Sequence, residues 1–171
     1  MRFVETPIAG AYVIEPEPLE DERGFFARIL DADEFAKRGL VVPATQWSVS
    51  HNRKRGTLRG LHYQAAPHEE VKLVRCTAGA IWDVIADLPM RRWFAVELSA
   101  ENRKSLYIPR GIAHGFQTLT DDAEICYAID RGFEPESARG VRWNDPSLAI
   151  TWPDAETRIL SDRDRALPLL E

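Results

Sequence analysis

The stretch Ile108-Pro109-Arg110-Gly111-Ile112-Ala113-His114-Gly115-Phe116 decides how the chain is read. Pro109 and Gly111 set a tight turn, and His114 opens an extended run behind it. Similar short runs lie on both sides. Working outward, strands are predicted at 105–108 and 115–119, at 93–98 and 123–130, and at 80–87 and 71–77. Further strands are predicted at 12–15, 25–30, 44–50 and 148–152. These runs are rich in Val, Ile, Trp and Phe and are separated by turn residues. Val71-Lys72-Leu73-Val74-Arg75-Cys76 and Trp93-Phe94-Ala95-Val96-Glu97-Leu98 each place a polar residue among apolar ones. So many short strands point to an all-β sandwich or barrel, and a jelly roll is the form that best manages strand edges. Helical periodicity is scarce. One short helix is predicted over 31–38, with acids in its first turn, cations in its last and Gly39 as the stop. A second helical turn is expected near 161–165.

The 171 residues and 19.4 kDa suit one domain over 1–171, with enough chain to bury a core. Hydrophobic residues make up 44% and charged residues 29%, a balance that argues against disorder. The apolar runs are too short to span a membrane. The first residues, MRFVETPIAGAYVIEPEPLEDE, lack the apolar centre of a secretory signal, so a cytoplasmic location is expected. Lys and Arg number 22 against 27 Asp and Glu, and the resulting −5 disfavours a general nucleic-acid binder. Cys76 and Cys126 make no disulfide framework and read as buried thiols in apolar runs. No Cys/His spacing suggests zinc.

Few residues stand out chemically. His62, in Leu58-Arg59-Gly60-Leu61-His62-Tyr63-Gln64, reads by itself as a core histidine with satisfied nitrogens more often than as a base. The run His51-Asn52-Arg53-Lys54-Arg55 is a solvated loop or, in an acidic protein, a seat for a small anion such as a diphosphate. Lys72 points outward or, if inward, needs an oxygen anion beside it. Tyr127 reads as a half-buried strand aromatic, and Asp164 as a helix-end charge.

The P-x-G-x-x-H pattern ending at His114 is similar to the second signature motif of the cupins, small jelly-roll barrels that hold a ligand inside. In metal cupins this His is a ligand and H-x-H followed by Glu supplies the rest. Here the spacing is His62-x5-His68 with Glu69 and Glu70 next, so no H-x-H is present. Taken with Asp21-Glu22-Arg23-Gly24-Phe25-Phe26, Arg59-Gly60-Leu61-His62-Tyr63-Gln64, Lys72-Leu73-Val74-Arg75, Trp143-Asn144-Asp145-Pro146 and Leu160-Ser161-x-x-Asp164, the chain resembles the dTDP-4-dehydrorhamnose 3,5-epimerase family over nearly its whole length.

The resemblance implies a homodimeric cupin without metal or cofactor, acting on a nucleoside-diphosphate 4-keto-6-deoxyhexose in deoxysugar biosynthesis. The C4 ketone acidifies the protons on C3 and C5. The implied roles are His62 as general base, Asp164 as the carboxylate that orients it, Lys72 at the enolate oxygen and Tyr127 as the acid. Arg23 and Arg59 match residues that clamp the diphosphate, His114 matches a His near the substrate, and Phe26, Arg28, Gln46 and Ser48 fall at substrate-binding positions. The family usually has Gln-x-Asn-x-Ser where Gln46-Trp47-Ser48-Val49-Ser50 stands, and often Glu where Arg28 stands. Two other classes compete: a metal cupin using His62, His68, Glu70 and His114, and a sugar-nucleotide-binding cupin without catalysis. A homodimer is also expected because strand 12–15 would otherwise leave a sheet edge exposed.

Overall fold

The computed structural model describes residues 1–170. Thirteen strands and two short helices follow in order: β1 (Arg2–Glu5), β2 (Tyr12–Glu15), β3 (Leu19–Asp21), β4 (Gly24–Phe26), α1 (Ala32–Ala36), β5 (Gln46–Asn52), β6 (Leu58–Gln64), β7 (Lys72–Ala78), β8 (Ala80–Asp87), β9 (Arg92–Ser99), β10 (Ser105–Ile108), β11 (Ala113–Thr118), β12 (Ala123–Ile129), β13 (Ala138–Gly140) and α2 (Asp162–Arg165). They form a six-stranded sheet, β1-β2-β10-β7-β12-β5, and a five-stranded sheet, β13-β6-β11-β8-β9; β3 and β4 pair only with each other. This is the all-β jelly roll expected from the strand pattern.

The alternation of polar and apolar residues explains the layers. Val13, Val74, Leu106, Ile108 and Ile125 of the larger sheet meet Ile81, Ile85, Leu98 and Phe116 of the smaller one in a single buried cluster. The outer face of the larger sheet is closed by α1, whose Phe35 packs with Ile14, Leu73 and Tyr107. Asp31 caps this helix by accepting from the amides of Asp33 and Glu34. The outer face of the smaller sheet is closed by the C-terminal segment, with Val141, Leu148 and Trp152 against Leu58, Leu61 and Val84.

Three expectations are corrected. The run 148–152 is no strand: Ala149 has φ +49, and Trp152 packs in the cluster covering the sheet, with its indole N–H donated to the Trp143 carbonyl. Its apolarity serves the cover of a sheet. The run 25–30 is extended only as far as Phe26; Leu30 turns in to pack beneath α1. The strand at 12–15 lies between β1 and β10, so β1, not β2, forms the edge on that side of the sheet.

One strand carrying chemistry, β6, lies outside the runs expected as strands, and Gly60 interrupts its pattern. Gly60 has φ +129, and a Cβ there would lie 2.6 Å from the Cα of Gly115. A Cβ on Gly115 would in turn lie 2.6 Å from the Arg59 carbonyl oxygen. The two glycines let β6 and β11 approach at an irregularity between His114 and Phe116, leaving His62 directly opposite His114.

Candidate active site

A cavity of about 170 Å³ opens between the two sheets, lined by Arg59, His62, Lys72, His114, Gly115, Phe116, Tyr127 and Ile129. Arg59 and His62 come from β6 and His114 from β11, all on the smaller sheet. Lys72 comes from β7 and Tyr127 from β12, on the larger sheet. Two opposed walls therefore present different chemistry to whatever lies between them.

His62 Nε2 is 2.7 Å from Asp164 Oδ1. The partner arrives from 102 positions away because the chain bridges Thr57 to Ile159, with the Leu58 amide donating to the Ile159 carbonyl. Ser161 then caps α2 and turns Asp164 toward β6. The other oxygen, Oδ2, accepts from the Gly60 amide at 3.2 Å. Burial alone would raise the Asp164 carboxyl, but the hydrogen bond and charge of His62 and the Gly60 amide outweigh it and hold the group below the usual carboxylate value. An ionised Asp164 accepts the Nε2 proton, which leaves the basic lone pair on Nδ1.

His114 repeats this pattern. Its Nε2 is 2.7 Å from Oδ1 of Asp83, and Asp83 is fully buried. Lys72 pairs with Glu70 at 2.8 Å. Arg59 differs: its Nε donates to the amide oxygen of Asn52 at 2.9 Å, and among the described residues it has no carboxylate partner. The cavity thus gives His62, His114 and Lys72 a carboxylate each and leaves the charge of Arg59 uncompensated, which suits it to an anionic ligand. Asn52 is fixed in turn by donating to the carbonyls of Ser50 and Ala123.

Burial pushes the Tyr127 phenol above its ordinary value; a hydrogen bond with Ser50 and the charge of Arg59 oppose this, and Asp83 reinforces it. The phenol therefore keeps its proton through the neutral range and is an acid rather than a base.

Gln46 and Ser48 sit on β5 opposite Ile129 and Tyr127 in the antiparallel register. Directly paired residues project to one face, so both stand at the rim of the cavity. Arg23, Phe26 and Arg28 do not line it in this chain. Arg23 pairs with Asp21 beside the β3–β4 turn, Phe26 is 66% exposed, and Arg28 pairs with Asp31. In the basic run, Lys54 pairs with Asp121 and His51 lies near Asp122. The ligands proposed for a metal cupin do not gather: His68 bonds Ser137, Glu70 holds Lys72, and His62 and His114 face separate aspartates. No group of three or more metal-ligating side chains forms among the described residues.

Asp83, Asn52 and Glu70 were assigned no role in the epimerase reading of the sequence. Asp83 carried a usable signal, a carboxylate in the middle of the apolar run Ala80–Asp87. Asn52 was hidden inside a basic run.

A jelly roll with a histidine–carboxylate pair on one wall and a phenol and an ammonium on the other defines a cupin-type acid–base enzyme. Comparison with known proteins gives the family. The family model described as dTDP-4-dehydrorhamnose 3,5-epimerase matches residues 5–171. The dTDP-4-dehydrorhamnose 3,5-epimerase of Sinorhizobium fredii is 38% identical over 99% of this chain and 90% of its own. The crystal structure of the enzyme of that name from Elizabethkingia anophelis superposes with a TM-score of 0.94 at 39% identity, covering 99% of this chain and 96% of that one. That from Bacillus anthracis, solved with TDP and PPi bound, gives 0.92 at 39% identity and covers 99% of both chains. The chain belongs to the dTDP-4-dehydrorhamnose 3,5-epimerase family.

Proposed function

We propose that the protein inverts C3 and C5 of a dTDP-4-keto-6-deoxyhexose. The observation that carries this reading is the placement of the His62–Asp164 pair on one sheet and of Tyr127 and Lys72 on the other, around one cavity. Inversion needs a base on one face of a carbon and an acid on the other, and the two walls supply them.

His62 Nδ1 removes the proton from the carbon beside the C4 ketone. The C–H pair moves into the ring bond as the carbonyl pair moves onto O4. Lys72 donates an N–H to the enolate oxygen, where preorganised charge removes about 3–4 kcal/mol of barrier on the oxyanion-hole analogy. Tyr127 delivers its proton to the opposite face. The imidazolium, stabilised by Asp164, returns its proton to solvent and the phenolate regains one.

Arg59 takes the diphosphate. The cavity is smaller than the ~300–1,000 Å³ of a typical small-molecule site, so it encloses the sugar and leaves the nucleotide outside. A homodimer meets that need: the self-paired β3–β4 hairpin, with Arg23 and the exposed Phe26, extends the anion- and base-binding surface of a second copy. The apolar side chains of Trp47 and Val49, exposed on edge strand β5, support such an interface. Arg28, Gln46, Ser48 and His114 contribute to substrate binding. No helix among the described residues is long and apolar enough to cross a membrane, and the cytoplasm is the proposed location.

The test is incubation with dTDP-4-keto-6-deoxyglucose in deuterated water. Deuterium at both C3 and C5, with inversion at both, is the expected result. Exchange at C3 alone would make the protein a mono-epimerase, and binding without exchange would remove catalysis from the account.

A further inference from the structure

We propose that Glu70 is a positioning residue that holds the Lys72 ammonium in place at the wall of the cavity; this rests on the reading of Lys72 as the group facing the enolate oxygen. Lys72 Nζ and Glu70 Oε1 are 2.8 Å apart, and each side chain is only 11% exposed. Two opposite charges so withdrawn from water keep to each other, and the contact fixes where the ammonium sits.

The surroundings leave Glu70 as that partner. The cavity's other polar side chains from β6, β11 and β12 are Arg59, His62, His114 and Tyr127, none of them a carboxylate. Asp164 is bound to His62 and the Gly60 amide, and Asp83 to His114. Asp130, at the end of β12 where Lys72 pairs with Ile129, is taken by the Val71 amide and by Arg110. An ammonium has three N–H donors. One bond to Glu70 fixes its direction and leaves two for the substrate, so O4 meets an oriented donor. Glu70 itself does not line the cavity.

Because Lys72 serves the enolate oxygen common to both carbons, Glu70 acts equally on each. Glu70→Gln keeps the shape and removes the charge. The expected result is a fall in kcat of about 10- to 100-fold, with KM within twofold, and deuterium entry at C3 and C5 reduced by the same factor. Lys72→Met/Glu70→Gln should be no slower than Lys72→Met alone, because the carboxylate acts through the amine. Glu70→Asp, which keeps the charge, should retain more activity than Glu70→Gln, and it carries the test if the Gln variant does not fold. A Glu70→Gln enzyme with unchanged kcat, a further loss in the double variant, or an Asp variant no better than Gln would each overturn the proposal. Exchange by the unmodified enzyme, measured alongside, separates these outcomes from a failure of the epimerase reading.

Discussion

His62 Nε2 and Asp164 Oδ1 meet at 2.7 Å although 102 positions separate them, and this contact turns an ordinary strand histidine into a directed base. The carboxylate fixes which nitrogen carries the proton and stabilises the imidazolium formed by C–H removal. Asp164→Asn keeps the shape but permits the amide to offer an N–H, which favours the wrong tautomer. Its kcat should fall by roughly 10²–10⁴-fold with substrate affinity little changed. Steady-state kinetics beside isothermal binding of dTDP would check this; a large loss of dTDP affinity with kcat preserved would contradict it.

The same pair links stability to acidity. The Asp164 carboxyl is held below its ordinary value of 3.8 in the folded chain. A carboxyl depressed by folding contributes stability that is fully present above its unfolded value and fades as pH drops through the folded one. The melting-temperature gap between the unmodified protein and Asp164→Asn should therefore be steady above about pH 5 and shrink below pH 4. A gap constant down to pH 2.5 would mean that Asp164 gains nothing from its partners.

Arg59 carries the only cavity cation charge that no described carboxylate neutralises, so its removal should act on binding. Arg59→Ala is expected to raise KM by about 10- to 100-fold, the equivalent of a charge-assisted bond of ~1.5–3 kcal/mol, while kcat changes little. Asn52→Ala, which frees the guanidinium without removing it, should raise KM less. A variant that lost kcat alone would show that Arg59 takes part in the chemical step.

The dimer proposal has a direct test in mixed chains. A His62→Ala chain lacks the base, and an Arg23→Ala chain lacks the hairpin cation. If the hairpin serves the neighbouring pocket, a hybrid of the two chains contains one site with both residues intact. Activity should then reappear on mixing and refolding, at a dimeric mass by light scattering. A monomeric mass, or no recovery in proven hybrids, would contradict it.

Much of this was legible before the structure. Strands β2, β8 and β10 lie at their predicted bounds because local propensity and burial agree there. α1 forms where the Asp31 cap and the Gly39 stop place it, though it ends at Ala36, before the cations of the expected last turn. The misses share a cause, which is tertiary contact overriding local pattern. Gly60 weakens β6 as a pattern yet is required by the close approach of Gly115. Leu148 and Trp152 look like strand residues because they cover one. In the site, the residue types were readable, and the resemblance paired Asp164 with His62, but the partners of His114 and Arg59 were not readable. Nothing local in the sequence says that Asp164 turns toward His62, that Asp83 stands behind His114, or that Asn52 steadies Arg59.

The central claim is that the two walls divide the work, with the base on the smaller sheet and the acid on the larger. Tyr127→Phe in deuterated water tests it most directly. The variant keeps His62, Asp164 and Lys72, so enolate should still form and solvent deuterium should still enter by return from the His62 face. Inversion, which needs delivery from the other face, should fall by roughly 10²–10⁴-fold. Exchange surviving at a reduced rate while inversion collapses is the result the account requires. Equal loss of exchange and inversion, or inversion left unchanged, would contradict it.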